Sequence, residues 1–283
     1  MSVEIIYTIA QLRRQIAKLR HESRSIGCVP TMGALHAGHG ALIERARSLS
    51  DIVVVTIFVN PLQFDRSDDY ERYARTFEAD CRLCAGLGVD IVFAPSAEEM
   101  YPELMATYVE APEIVQHLCG EFRPGHFRGV ATVVTKLFNI VQPDAAYFGE
   151  KDAQQLALIQ RMVRDLNFAI EIVAVPTVRE PDGLAMSSRN ERLTAEERKA
   201  APILFQALTE GKRLILSGER QAAKIKQASL AMIGQEPLVK VEYFEAVDGR
   251  MQPVEQIRGD VRLAVAAWLG STRLIDNVLC RTV

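Results

Sequence analysis

No apolar run in this 283-residue chain approaches the length that crosses a bilayer; the longest are strand-sized and interrupted. No basic excess is present either: the formal charge is −3, so composition gives no electrostatic case for nucleic acid. Residues 1–10 lack both a basic start and a long apolar stretch, and no secretory leader is expected there. The five cysteines are an odd number, which argues against a disulfide framework and for a reducing compartment. Two familiar phosphate signatures are missing, G-x-x-x-x-G-K-[ST] and G-x-G-x-x-G. Internal repeats and low-complexity tracts are absent too. What remains is ordinary globular composition, 48% hydrophobic and 24% charged, long enough for one large or two medium domains.

Strand-like and helix-like segments alternate through the first two-thirds. Strands are expected at 26–29, 52–59, 90–93, 144–148 and 170–175, and helices at 9–19, 39–49, 69–87, 130–140 and 152–166. The run IVVVTIFV at 52–59 is β-branched almost throughout, as a strand buried on both faces requires. This order predicts an α/β fold, a Rossmann-like doubly wound parallel sheet over 1–175. After Pro176 and Pro181-Asp182-Gly183 the pattern changes. Helices at 194–217 and 221–233 precede three antiparallel strands at 239–246, 261–268 and 272–279, with a turn signal at Asp248-Gly249. A second, smaller α+β domain is therefore expected over 176–283. Cys81 and Cys84 form a C-x-x-C, but they recur with Tyr73, Phe77 and Leu87 at helical spacing, and no second pair completes a zinc site. They read as core positions.

The most informative stretch is Pro30-Thr31-Met32-Gly33-Ala34-Leu35-His36-Ala37-Gly38-His39. A strand feeds a glycine-bearing turn that opens a helix, and a helix N-terminus presents unpaired N–H groups and positive dipole. Glycines let backbone approach an anion, and His36 and His39, one turn apart, can donate to a phosphate as charge builds on it. The alternative is a pair of capping or surface histidines.

Other polar groups fall where strands end. Asn60-Pro61-Leu62-Gln63 follows the strongest strand; Gln63 offers both donor and acceptor, suited to a hydroxyl plus a carboxylate, unless the segment is only an Asn-Pro turn. At Gly149-Glu150-Lys151-Asp152, Lys151 can meet phosphate, while Asp152 can hold a ribose hydroxyl or cap the helix, and Gln155 lies one turn on. Met186-Ser187-Ser188-Arg189 offers two hydroxyls and an arginine for a polyphosphate; the competing reading is a linker. The segment Arg123–Gly129 reads as a flap over an acidic substrate. Asp80 is either a magnesium-linked carboxylate or a solvated charge.

In order along the chain, PTMGALHAGH, NPLQF, RPGHFRGVATVV, YFGEKDAQQL, DGLAMSSRN, VEYFEAVD and TRLIDN span 30–277. This set resembles the nucleotidyltransferase superfamily that includes class I aminoacyl-tRNA synthetases, and within it the pantothenate synthetase (pantoate–β-alanine ligase) family. The resemblance implies that ATP adenylates pantoate and that β-alanine then displaces AMP to give pantothenate. It implies an ATP site from Met32, Gly33, Ala34, Leu35, His36, Ala37, Gly38 and His39, completed by Gly149, Glu150, Lys151, Asp152, Val178, Met186, Ser187, Ser188 and Arg189. It makes His39 the proton donor, gives the triphosphate to His36 and gives pantoate to Gln63 and Gln155. It further implies Mg²⁺, a cytoplasmic homodimer, and a C-terminal domain that closes over the ATP site. Two other hypotheses remain at this stage: an adenylyltransferase with a phosphorylated acceptor, which needs a cationic pocket instead of two neutral glutamines, and a non-catalytic nucleotide-binding regulator.

Overall fold

The computed structural model describes residues 3–65 and 67–282. By contacts the chain forms two compact units: Met1–Ala111, Arg123–Glu150 and Leu158–Pro176 make the first, and Pro112–Phe122, Lys151–Ala157 and Thr177–Val283 the second.

The first unit is built on six strands, β1 (Glu4–Ile6), β2 (Ile26–Thr31), β3 (Ile52–Ile57), β4 (Ile91–Phe93), β5 (Ala145–Gly149) and β6 (Glu171–Val175). Their order is β1-β4-β3-β2-β5-β6 and every pairing is parallel. The expected doubly wound sheet is borne out. Ile52–Thr56 of β3 is buried residue after residue, as its unbroken β-branched run requires. Successive strands step outward from β2 through β3 to β4, and the chain then returns to place β5 on the other side of β2. That reversal lies between β2 and β5, and in such sheets ligands sit beyond the carboxyl ends at the switch point. Because all strands run the same way, the loops after β2, β3 and β5 share one edge.

Helices α1 (Ile9–His21) and α2 (Ala37–Leu49) flank β2 in sequence, the latter burying Leu42, Ile43 and Ala46 with Val29, Val53, Val55 and Tyr147. Each large side chain so buried contributes roughly 1.5–3 kcal/mol. The single helix expected at 69–87 is instead two, α3 (Ser67–Glu71) and α4 (Phe77–Gly86). The break falls before Thr76, the N-cap of α4, whose backbone (φ −117°, ψ 39°) is not helical and whose hydroxyl donates to Asp80 Oδ1 at 3.1 Å. Three short helices follow, α5 (Ala97–Met100), α6 (Pro112–Val115) and α7 (Cys119–Phe122), the last two in the second unit. Helix α8 (His126–Val141) starts four residues before the expected Val130, set by Gly125 in the left-handed region at φ 79°. After β5, a 3₁₀ turn over Glu150–Asp152 leads into α9 (Ala153–Asp165). Strand β1 escapes sequence reading because three residues carry no period.

In the second unit the helix expected at 194–217 is also divided, into α10 (Ala195–Ala200) and α11 (Ile203–Leu216), at Pro202, which cannot sit inside a helix. Thr194 and Glu197 form the expected capping box. Helix α12 (Ala222–Ile233) follows, then β7 (Val239–Val247), β8 (Val261–Leu269) and β9 (Thr272–Cys280), an antiparallel sheet in the order β7-β8-β9. Leu204, Leu208, Ile225, Phe244, Leu263 and Val265 lie in its core. Cys81 and Cys84 sit on α4. Cys84 is fully buried, which pushes its thiol up to about 12, and all five cysteines are free.

Candidate active site

The loop after β2 is held from beneath. Gly33 and Ala34 are both in the left-handed region, at φ 81° and 51°. The Gly33 N–H donates to Thr31 Oγ1 at 3.2 Å, and the N–H groups of Ala34 and Leu35 donate to the two oxygens of Asp80 at 3.0 and 2.9 Å. Asp80 is 2% exposed and accepts from Thr76 as well. These partners identify Asp80 as the anchor of the loop. They leave a buried carboxylate poorly suited to carry a magnesium ion, and no group of three or more His, Cys, Asp or Glu among the described residues forms a metal cage. The expectation that bare amides line this turn needs the same revision, since those of Gly33, Ala34 and Leu35 are committed to the protein itself.

The two histidines cap α2 reciprocally. His36 Nδ1 accepts from the Gly38 N–H at 3.1 Å, and His39 Nδ1 accepts from the His36 N–H at 3.3 Å. An amide can only donate, so each Nδ1 is an unprotonated acceptor and each neutral ring carries its hydrogen on Nε2. The ring centroids are 4.2 Å apart. The capping reading of this pair is thus what the bonds show, and the cap fixes the tautomer that turns Nε2 into a donor.

On the neighbouring strand end, Asn60 and Gln63 are 1% and 8% exposed. Asn60 Nδ2 donates to Gln63 Oε1 at 3.1 Å, so the Gln63 Nε2 group points the other way, to Met32 Sδ at 2.8 Å. Gln63 therefore meets the loop after β2, and its partner there is a thioether, a weak acceptor. The Gln63 backbone oxygen accepts from His126 Nδ1 at 2.6 Å and from Arg123, which also pairs with Asp65. Gly129 lets α8 pack backbone to backbone on this loop; a Cβ there would lie 2.2 Å from the Leu62 oxygen. Residues 123–129 are consequently a brace for Gln63, which corrects the expectation of a flap. Gly149, at the end of β5, has open space where its Cβ would be, and Glu150 is half-buried.

The second unit gathers its own set. Val178 and Met186 are paired across a hairpin, the Met186 N–H donating to the Val178 oxygen at 3.0 Å. Arg179 grips Asp276 through two bonds, 2.6 and 3.0 Å, and stacks on Phe205 with its guanidinium carbon 3.8 Å from the ring centre. Next along β9, Asn277 Nδ2 donates to the Lys151 oxygen at 2.9 Å. Ser187 caps the turn that carries Ser188 and Arg189, and Asn190 ties that turn to Glu180. Gln155 is half-buried on α9. Lys151, Val178 and Met186 thus belong to one network through Arg179, Asp276 and Asn277. Sequence reasoning named the first three and left out the connectors; an Arg and an Asp nearly a hundred positions apart give no local signal.

The pantoate–β-alanine ligase family model matches residues 4–279. The chain belongs to that family. The pantothenate synthetase of Thermotoga neapolitana is 54% identical, covering 98% of this chain and 99% of its own length, and that of Moorella thermoacetica is equally similar over 98% of each. The crystal structure of pantothenate synthetase from Thermus thermophilus superposes with a TM-score of 0.93 at 45% identity, over 99% of this chain and 100% of that one. Pantoate-beta-alanine ligase from Francisella tularensis, crystallised with beta-gamma ATP and beta-alanine, gives 0.82 at 35% identity over 99% of each chain. The ligase expectation is borne out.

Proposed function

We propose that this ligase condenses pantoate with β-alanine in two steps, with His36, His39 and Gln63 at the reacting end of the nucleotide. A pantoate carboxylate oxygen bonds to the α-phosphorus of ATP, and the bond to the β-phosphate oxygen breaks, releasing pyrophosphate. The β-alanine amine then attacks the acyl carbon, AMP leaves with the bridging oxygen, and the nitrogen loses a proton. Adenylation is needed because a free carboxylate has only oxide to expel. Activation by AMP removes that obstacle, and amide formation needs no nucleophilic side chain, only held reactants.

The observation that carries this reading is the reciprocal cap of His36 and His39, which fixes two neutral imidazoles as Nε2–H donors at the switch point of the sheet. Such donors meet negative charge as it spreads over the phosphate oxygens. His39 is assigned as proton donor and His36 to the triphosphate. The remaining nucleotide contacts are assigned, on the family resemblance, to Met32–Gly38, Gly149–Asp152, Val178 and Met186–Arg189. Lys151 and Arg189 bring the cationic charge. Gln63 and Gln155 hold pantoate. Magnesium is proposed to arrive with ATP; Mg²⁺ typically keeps water and substrate phosphates as ligands, and Asp80 takes no part in holding it. A cytoplasmic homodimer is part of the proposal on the family resemblance.

Two measurements test the assignment. AMP formation should require pantoate and β-alanine together, and turnover with a phosphorylated acceptor in place of pantoate would overturn it. Gln63→Ala should raise the KM for pantoate by about tenfold or more, as expected when a buried amide–substrate bond is lost, with the KM for ATP much less affected. Equal losses for both ligands would contradict a pantoate role for Gln63.

A further inference from the structure

The orientation of Gln63 is set by a residue far from it in sequence. Asn60 has four hydrogen-bonding capacities and all four are used. Its Nδ2 donates to Gln63 Oε1 at 3.1 Å and to the Gly129 oxygen at 3.2 Å. Its Oδ1 accepts from the Leu62 N–H at 3.3 Å and, more closely, from the Tyr101 hydroxyl at 2.8 Å. Asn60 is 1% exposed, so water does not replace a missing partner at low cost.

Tyr101 is itself firmly placed. It ends α5 with its N–H on the Ala97 oxygen at 2.7 Å, directly after the fully buried Met100. Its ring packs on Phe58 with centroids 6.0 Å apart, and Lys136 Nζ lies 5.3 Å from its centre. Burial holds the phenol well above its ordinary range, so the hydroxyl keeps its hydrogen and acts as a donor.

We infer that Tyr101 is a positioning residue for pantoate, its hydroxyl fixing Asn60 and, through Asn60, the amide of Gln63. The chain of bonds runs from Tyr101 Oη to Asn60 to Gln63 Oε1, and it leaves the Gln63 Nε2 hydrogens aimed toward Met32. A substrate carboxylate or hydroxyl is a stronger acceptor than a thioether, so a fixed Nε2 donor selects an acceptor there. The donor face of the pantoate site is thus dictated from α5, which touches no substrate in this assignment. The inference rests on the reading of Gln63 as a pantoate ligand.

The test is steady-state kinetics of Tyr101→Phe, which keeps the ring and removes the hydroxyl. The KM for pantoate should rise about threefold to tenfold, the effect of one net hydrogen bond, while the KM for ATP stays within about twofold. A merely structural hydroxyl would leave the ratio of the two constants unchanged, and that result overturns the inference. A cycle with Asn60→Ala gives a second readout: in the Asn60→Ala background the Tyr101→Phe change should cost no further affinity for pantoate. Independent, multiplying effects would show that the hydroxyl acts by another route. Gln63→Ala separates the two levels. If it leaves the pantoate KM unmoved, the Gln63 assignment itself fails; if it raises that KM while Tyr101→Phe does not, only the positioning role fails.

Discussion

Replacing His39 with alanine is expected to slow pyrophosphate release from ATP and pantoate by about 10²–10³-fold, the usual cost of one donor aimed at developing charge. His39 also accepts from the His36 N–H as the N3 partner in the capping box of α2, so the same change should lower stability by about 0.5–1.5 kcal/mol. The two effects can be told apart. His39→Asn retains a side-chain acceptor for the cap but lacks a ring Nε2–H, and it should recover much of the lost stability with little of the rate. A His39→Ala enzyme with near-native pyrophosphate release would remove the imidazole from the mechanism. Full rate recovery in His39→Asn would reduce it to a cap.

Asp80→Asn is expected to have the second largest effect. The carboxylate accepts from Ala34, Leu35 and Thr76 at once, in a site only 2% exposed. An amide in its place must turn an NH₂ group toward at least one of these donors. Leaving such a buried donor without an acceptor costs about 1–3 kcal/mol. Gly33 and Ala34 are held in the left-handed region, and for Ala34 that backbone persists because Asp80 fixes the neighbouring amides. With the anchor weakened, the loop should shift relative to β2, and a displacement of about 1 Å in a positioning element can cost on the order of 10²-fold in rate. Assays should show a raised KM for ATP together with a lowered kcat, and thermal denaturation a lower midpoint. Native ATP kinetics in a folded Asp80→Asn enzyme would contradict the anchoring role. A change in metal dependence with no loss of stability would restore Asp80 to the magnesium.

These expectations show what could be read in the chain alone. The sheet was legible because runs such as Ile52–Ile57 declare a strand buried on both faces, and the loops that follow such strands necessarily fall at one edge. His36, His39 and Gln63 were legible because they follow those strands directly. Their bonding was not. Whether an amide at Ala34 or Leu35 faces a ligand or Asp80 depends on a helix that begins some forty residues later, and no local pattern encodes that meeting. The break between α3 and α4 was hidden for a related reason, since the Thr76 hydroxyl that accompanies it serves a residue one turn on. The division at Pro202, by contrast, is encoded by the proline itself, although the capping box at Thr194 and the apolar period beyond it read as one element. Arg179, Asp276 and Tyr101 illustrate the remaining class, side chains whose importance arises only from partners distant in the chain.

Pyrophosphate release with ATP and pantoate, measured before any β-alanine is added, tests the central claim most directly. The account predicts that pyrophosphate appears under these conditions while AMP stays bound as the acyl adenylate, and that later addition of β-alanine liberates AMP and pantothenate together. Pyrophosphate that appears only when β-alanine is present, or ADP and phosphate in its place, would contradict it.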